Sequence, residues 1–522
     1  MSNRKQVVGI TFVGILLLIG MKLFKYAAPP VRDKDCRGPA SSTTRAPLPQ
    51  EHPSWLQVSE ATINDASCLN STPIYGVAHV SSTEDVRQAI QFARDHGLTI
   101  TSAGQRHSMG GQAFARQGLV LDMRGSHEMR VDRETKMLHV QAGATWAEVQ
   151  TFLDPQGLSV QAMQSINIFT VGGTLSVNAH GIAHRPGQVA PTVRSMHVMG
   201  SDGIVKTLST TENPELFRLV LGGYGLFGVI LDADIQVVDN AVYERTMQTI
   251  DYTAFPEYYA RHIKDNNALG LFYARLSIAP TSYLRETALH LYTMTDRAAI
   301  PAPIEPMHHA WVPRLIINLS KTGGAGRWLR WMLEKYVEPH VHPCLTRNQA
   351  MSQPEVCLVS RNQEMYDAMP YLKNRLEDTD ILQEYFLPPE QMVPFVDGLR
   401  EIVQKHDANL LNVTIRVVHK DSITALSYAP EDRLAFVLYF NQKLNERERI
   451  ALTQTTQDLI DLAIRSGGTF YLPYQLVYSS QQLHQAYPMI SDFFAAKRKA
   501  DPDEIFSNTW YQKYGHAAFV SG

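Results

Sequence analysis

The sequence predicts an α+β protein of two domains behind an N-terminal membrane helix, and three observations carry that prediction. Its 522 residues exceed what one hydrophobic core usually serves. Short strand patterns alternate with amphipathic helices and glycine turns over residues 73–240, whereas over 241–475 the segments lengthen and become more aromatic. Near the start, Arg4 and Lys5 precede an uncharged run from Val7 to Met21 that continues through Lys22 to Phe24. A hydrophobic content of 44%, a charged content of 19% and a formal net charge of -3 fit a globular protein. There is no basic excess for phosphate-backbone binding, so nucleic acid is not an expected partner.

A membrane-spanning helix needs roughly 17 to 25 mostly apolar residues. The run reaches that length if Lys22 snorkels to the interface. No small-x-small cleavage pattern follows, which favours an uncleaved single-pass anchor over residues 1–26 rather than a signal peptide. Cationic residues on both flanks leave its sidedness open. Residues 27–72 are rich in Pro, Ser, Thr and charge and read as a linker. Cys36, Cys68, Cys344 and Cys357 allow either two disulfides or four thiols, and no metal-ligand spacing occurs among them, so no metal site is expected.

In the first domain, Tyr75 to Val80 reads as a strand. A helix follows to His96, capped by Ser82 with Asp85 three residues on, striped by Val86, Ala89, Ile90 and Ala93, and stopped by Gly97. The strand Leu98 to Ser102 then delivers the chain to a loop, Ser102-Ala103-Gly104-Gln105-Arg106-His107-Ser108. This strand–helix–strand order is consistent with parallel pairing. Strands at Leu119 to Asp122 and His139 to Ala142 and a helix from Thr145 to Leu153 precede a second short-residue tract, Thr170 to Gly181. Its glycines and hydroxyls let a phosphate or a ring approach the backbone. Strands at His197 to Gly200, Val205 to Thr207 and Val229 to Val238 complete the domain.

Gly223-Tyr224-Gly225-Leu226-Phe227-Gly228 matches the GxGxxG dinucleotide fingerprint, but its context is reversed. A Rossmann motif follows a strand and opens a helix; here a helical pattern, Pro214 to Leu221, precedes and a strand follows. A helix-to-strand turn is the plainer reading, with the backbone after Gly228 available to a ligand.

The second domain, 241–475, reads as strands backed by helices at Pro389 to Lys405 and Glu446 to Ser466. In Leu410 to Val418, alternation places Asn412, Thr414 and Arg416 on one face, and the strand ending Glu384-Tyr385-Phe386-Leu387-Pro388 is a second source of polar groups. Residues 476–522 form a C-terminal segment expected to return to the first domain.

In this order the three glycine-bearing motifs, 103–108, 165–181 and 222–230, resemble those of the vanillyl-alcohol oxidase type of FAD-linked oxidase, which has a PCMH-type FAD-binding domain of two subdomains and an α+β cap domain. His180-Gly181 is similar to sugar-lactone and alditol oxidases and to decaprenylphosphoryl-ribose oxidases. His107-Ser108 followed by Gly110-Gly111-Gln112-Ala113 is similar to cytokinin dehydrogenases.

The resemblance implies FAD, with its pyrophosphate on Ser102, Ala103, Gly104, Gln105, Arg106, His107 and Ser108. Ser165, Thr170, Gly173, Val177, Asn178 and His180 would line the cofactor, Val229 or Ile230 would meet the adenine through the main chain, and Asn508 is a lesser contact. His107 falls where such proteins carry a flavin-bonded histidine, although members with non-covalent FAD exist and a lone loop histidine is usually structural. Arg416 matches an arginine of sugar and polyol oxidases. Thr414 stands where those often have an acid, and His180 is the third candidate catalytic group, with a satisfied core histidine as its alternative. The implied reaction is oxidation of a CH–OH carbon of a sugar lactone, polyol or related carbohydrate, with electrons passed to oxygen or another acceptor. One half of a lipid-linked sugar epimerisation, or oxidation of a cytokinin-like amine, is the alternative, and a membrane-tethered binding protein without catalysis is the remaining one.

Overall fold

The computed structural model describes residues 53, 55–57, 62–295, 303–305, 311–338, 358–366 and 378–516. The anchor expected at 1–26 lies outside them, as do most of the linker and Cys36, Cys344 and Cys357, while Cys68 is disulfide-bonded. Among the described residues no helix is long and apolar enough to cross a membrane.

The end of the expected linker is folded rather than extended. Leu56–Gln57 pairs antiparallel with Gly76–His79, and Thr62–Ile63 with Thr72–Pro73. Polar residues that suggest a solvated tether here satisfy one another around buried Asp65. Its carboxylate accepts from the Ser67 amide and hydroxyl, from Asn70 and from the Gly111 amide, which ties this segment to the loop beyond His107. Burial raises the Asp65 carboxyl above its ordinary value despite those bonds.

The helix Thr83–His96 forms where the sequence predicts it, because Ser82 and Asp85 make a reciprocal capping box and Gly97 ends it at φ 61°. Its apolar stripe buries against a four-stranded sheet ordered Leu56–Gln57, Gly76–His79, Leu119–Asp122, Ile100–Ala103. The last three strands are parallel. The two strands joined by the helix therefore flank Leu119–Asp122, and Ile100–Ala103 ends at the predicted loop. A six-stranded antiparallel sheet follows, ordered Val205–Ser209, Val193–Met199, Val229–Asp239, Met137–Gln141, Met129–Asp132, with Leu158–Val160 also paired to Val229–Asp239. The GxGxxG turn sits between helix Pro214–Val220 and strand Val229–Asp239, the arrangement that excludes a Rossmann unit.

The second domain is one antiparallel sheet of eight strands, ordered Leu358–Ser360, Val242–Asp251, Glu286–Met294, Leu269–Leu276, Leu410–Val418, Arg433–Lys443, Asp378–Leu387, Thr469–Phe470. Helices Met392–Lys405 and Glu446–Arg465 pack together behind it. Two helices that the sequence reading did not place, Trp311–Ser320 and Gly324–Met332, continue as a wider turn to Val337.

Part of the C-terminal segment lies against the first, parallel sheet. The Ile100 amide donates to the Ile505 carbonyl and the Ser507 amide to that of Ile100, so the chain lies parallel along the free edge of Ile100–Ala103.

Candidate active site

A cavity of about 1160 Å³ runs between the domains. The parallel strand Ile100–Ala103 delivers one wall, since residues 102–108 line it throughout. The second glycine tract forms the adjoining wall through helix Val171–Ser176, capped by the Thr170 side chain. The two motifs meet at one point: a Cβ built on Gly104 would lie 2.0 Å from Thr170 Oγ1, so only glycine fits there. His107 lines the cavity with its ring tilted against Phe169, centroids 4.3 Å apart and planes at 35°.

Of the predicted cofactor-side residues, Ser165, Thr170, Gly173, Val177, His180 and Ile230 also line the cavity. Asn178, Val229 and Asn508 do not. Asn178 donates to Asp421 and accepts from the Ala190 amide, which makes it a cross-brace between domains. Val229 is a core residue of its strand. Asn508 caps helix Thr509–Tyr514 and donates to the Tyr224 carbonyl, so it pins the GxGxxG turn from behind.

The second domain closes the cavity with the predicted row Asn412, Thr414 and Arg416. Two strands along the same sheet, and level with Thr414 through Val437, the strand Asp378–Leu387 presents Glu384, whose carboxylate pairs with His180 Nε2 at 2.7 Å and accepts from the Tyr474 hydroxyl at 2.7 Å. Burial would raise the Glu384 carboxyl, but His180, Arg416 and the Tyr474 hydroxyl outweigh it and hold the group below the ordinary glutamate value. Glu384 is thus ionised near neutral pH and fixes the His180 ring, whose Nδ1 is buried with no hydrogen-bond partner. Arg416 donates to the His180 carbonyl at 3.5 Å, and its Nε is likewise buried and unpartnered.

Polar groups that sequence reasoning missed lie farther along the same cavity. Arg275 pairs with Glu334 at 2.6 Å, and Arg330 donates to the Leu411 carbonyl and to Asn412. Arg330 sits on the unplaced helix Gly324–Met332 and Glu334 on the wider turn that continues it, which is why no strand pattern pointed to them. Glu384 was visible only as one polar residue on a strand, since its role depends on His180, 204 residues earlier in the chain.

These features fit a bound dinucleotide cofactor. The cavity is larger than a small substrate requires, a glycine is enforced where the two tracts touch, and Ser165 Oγ, His180 Nδ1 and Arg416 Nε are buried polar atoms without protein partners on residues that line it.

Comparison with known proteins agrees. Residues 74–209 match the family model described as FAD binding domain. Cytokinin dehydrogenase 2 of Arabidopsis thaliana is 32% identical over 219 residues, 41% of this chain and 44% of that protein. The D-arabinono-1,4-lactone oxidase of Yarrowia lipolytica is 30% identical over 33% of this chain and 34% of its own length. The decaprenylphosphoryl-beta-D-ribose oxidase of Mycolicibacterium smegmatis is 21% identical, over 83% of this chain and 93% of its own length. The chain thus spans less than half the length of the cytokinin dehydrogenase it matches. Residues 74–209 thus form an FAD binding domain, and FAD is the cofactor that the cavity beside them takes.

Proposed function

We propose that the protein oxidises a hydroxyl-bearing carbon of a sugar lactone, polyol or related carbohydrate. The observation that carries this reading is the set of polar groups gathered at one wall of the cavity: Asn412, Thr414 and Arg416 on one strand and, two strands along the same sheet, Glu384 with its partner His180. Residues 102–108, Ser165, Thr170, Gly173, Val177 and Ile230 would hold FAD, which when bound accepts the hydride. Arg416 would supply positive charge beside the position that gains negative charge on reduction. His180, held by Glu384, would take the hydroxyl proton at its free nitrogen, with Thr414 orienting the hydroxyl. His107 stands on the cofactor wall with an imidazole able to bond FAD covalently. The electron acceptor would be oxygen or another small oxidant.

Oxidation of a lipid-linked sugar is a second reading, favoured by the apolar wall that Ile316, Ile317 and Leu333 add to the cavity. The test is anaerobic mixing of the purified yellow protein with sugar lactones, polyols, an alkyl glycoside and cytokinin-like amines. Rapid bleaching by a carbohydrate is expected; bleaching by the amines alone would overturn the reading.

A further inference from the structure

The helical insertion 311–338 has two faces. The inner face is fastened to the sheet: Trp331 is fully buried and donates to Glu286, Lys335 pairs with Glu286, and Arg275 pairs with Glu334. The outer face is apolar. Val312, Trp328, Leu329, Tyr336 and Val337 are 37–59% exposed, and these five are close to half of the large hydrophobic side chains exposed among the described residues. No charged side chain of 322–337 is exposed, because Arg327, Arg330, Glu334 and Lys335 all turn at least partly inward. Surfaces of this kind are uncommon on proteins surrounded by water alone.

Val312 and Val337 belong to both surfaces, being exposed and also lining the cavity. The cavity therefore opens within the apolar patch. A second protein chain seated there would stop that mouth, whereas a bilayer would leave it open to any molecule dissolved in the lipid. Trp328 and Tyr336, aromatic bodies with one polar atom each, are the side chains that settle at a membrane interface. The uncharged run Val7–Met21 is a second segment of this chain suited to lipid.

We infer that the outer face of residues 312–337 docks the second domain on a phospholipid bilayer with the cavity mouth against the lipid. This rests on the reading of the cavity as the oxidation site, and it narrows the substrate to an amphiphile whose polar head enters while its apolar part stays at the patch. Such helices sink about 5–10 Å, to the boundary of headgroups and acyl chains.

The test mixes the full chain with phosphatidylcholine–phosphatidylglycerol vesicles whose acyl chains carry bromine, which quenches nearby indoles. The chain has 6 tryptophans, so the Trp328 component is the difference between the native chain and Trp328→Phe. That component is expected to be lost in brominated vesicles and regained in Leu329→Glu, even where the N-terminal run keeps the variant vesicle-bound. Equal quenching in the native chain and Trp328→Phe would overturn the inference. So would an unquenched Trp328 in a dimer that Leu329→Glu splits, which would make the patch an interface between copies. Flavin absorbance in the same sample separates the two readings: quenching of Trp328 without bound flavin would sink the cofactor site and leave the docking face, and yellow protein without quenching would do the reverse.

Discussion

At the residue scale, the site depends on side chains whose ordinary behaviour has been changed by position. His107 leans against Phe169 at the cavity wall and takes no part in the folded core. The covalent bond proposed for His107 predicts that flavin stays with the native chain through acid precipitation, and that His107→Ala keeps the fold but releases the flavin to the supernatant. Flavin that stays in the pellet of the His107→Ala variant would remove His107 from that role. His184 is perturbed without lining the cavity: burial, then the charges of His419 and Arg185, lower its pKa to about 4. A histidine depressed in the folded state stabilises above its unfolded value of about 6.5, and that stability is lost as pH falls toward the folded value. Thermal midpoints should thus fall between about pH 6.5 and 4, with a shallower slope in His184→Leu; an unchanged slope would assign the acid sensitivity elsewhere.

At the element scale, the contact between the first loop and the second tract decides whether the cofactor wall closes. Gly104→Ala places a methyl group 2.0 Å from Thr170 Oγ1, and overpacking of this kind costs about 1–3 kcal/mol. The expected result is a lower flavin content at unchanged helix content, partly recovered when Thr170→Gly removes the colliding side chain, as a double-mutant cycle would register. Most elements around this contact were legible in the sequence. The capping box at Ser82, the alternation in Leu410–Val418 and the reversed context of Gly223–Gly228 each have a local cause, so a local pattern revealed them. The folded end of the linker was not legible, because Asp65 is satisfied by Gly111, far away in the chain. The insertion 311–338 escaped for a related reason. Its outer face is apolar where a helix on a globular protein is usually polar, and the glycines at 323 and 324 interrupt its period. For the site, the loops that line the cavity are contiguous and so stand out as motifs, whereas Glu384, Arg275 and Arg330 gain meaning only from partners that the fold brings to them.

At the scale of the whole molecule, the first domain is completed by the last part of the chain. Ile100–Ala103 is the edge strand that presents the loop, and an edge strand leaves backbone groups unpaired unless something covers it. Residues 505–507 do so, through the amide–carbonyl pairs with Ile100 and through Phe506, which is 1% exposed and packs in the core shared with Val86, Ile90 and Leu121. Asp501, paired with buried Lys497, holds the turn by accepting from the Ile505 and Phe506 amides. Removing the Phe506 ring should cost about 3–5 kcal/mol by the cavity it leaves. Because that ring lies beneath the cofactor strand and outside the cavity, the effect on flavin must pass through the strand. In a thermal ramp, Phe506→Ala should release flavin at a lower temperature than the native chain, and added FAD should raise its unfolding midpoint, since a ligand that binds only the folded state stabilises it. Phe395→Ala, an equally buried ring behind the second-domain sheet, is the comparison. If both variants release flavin at the same temperature, the closure of the chain on Ile100 contributes nothing particular to cofactor retention, and the flavin is held by the cavity walls alone.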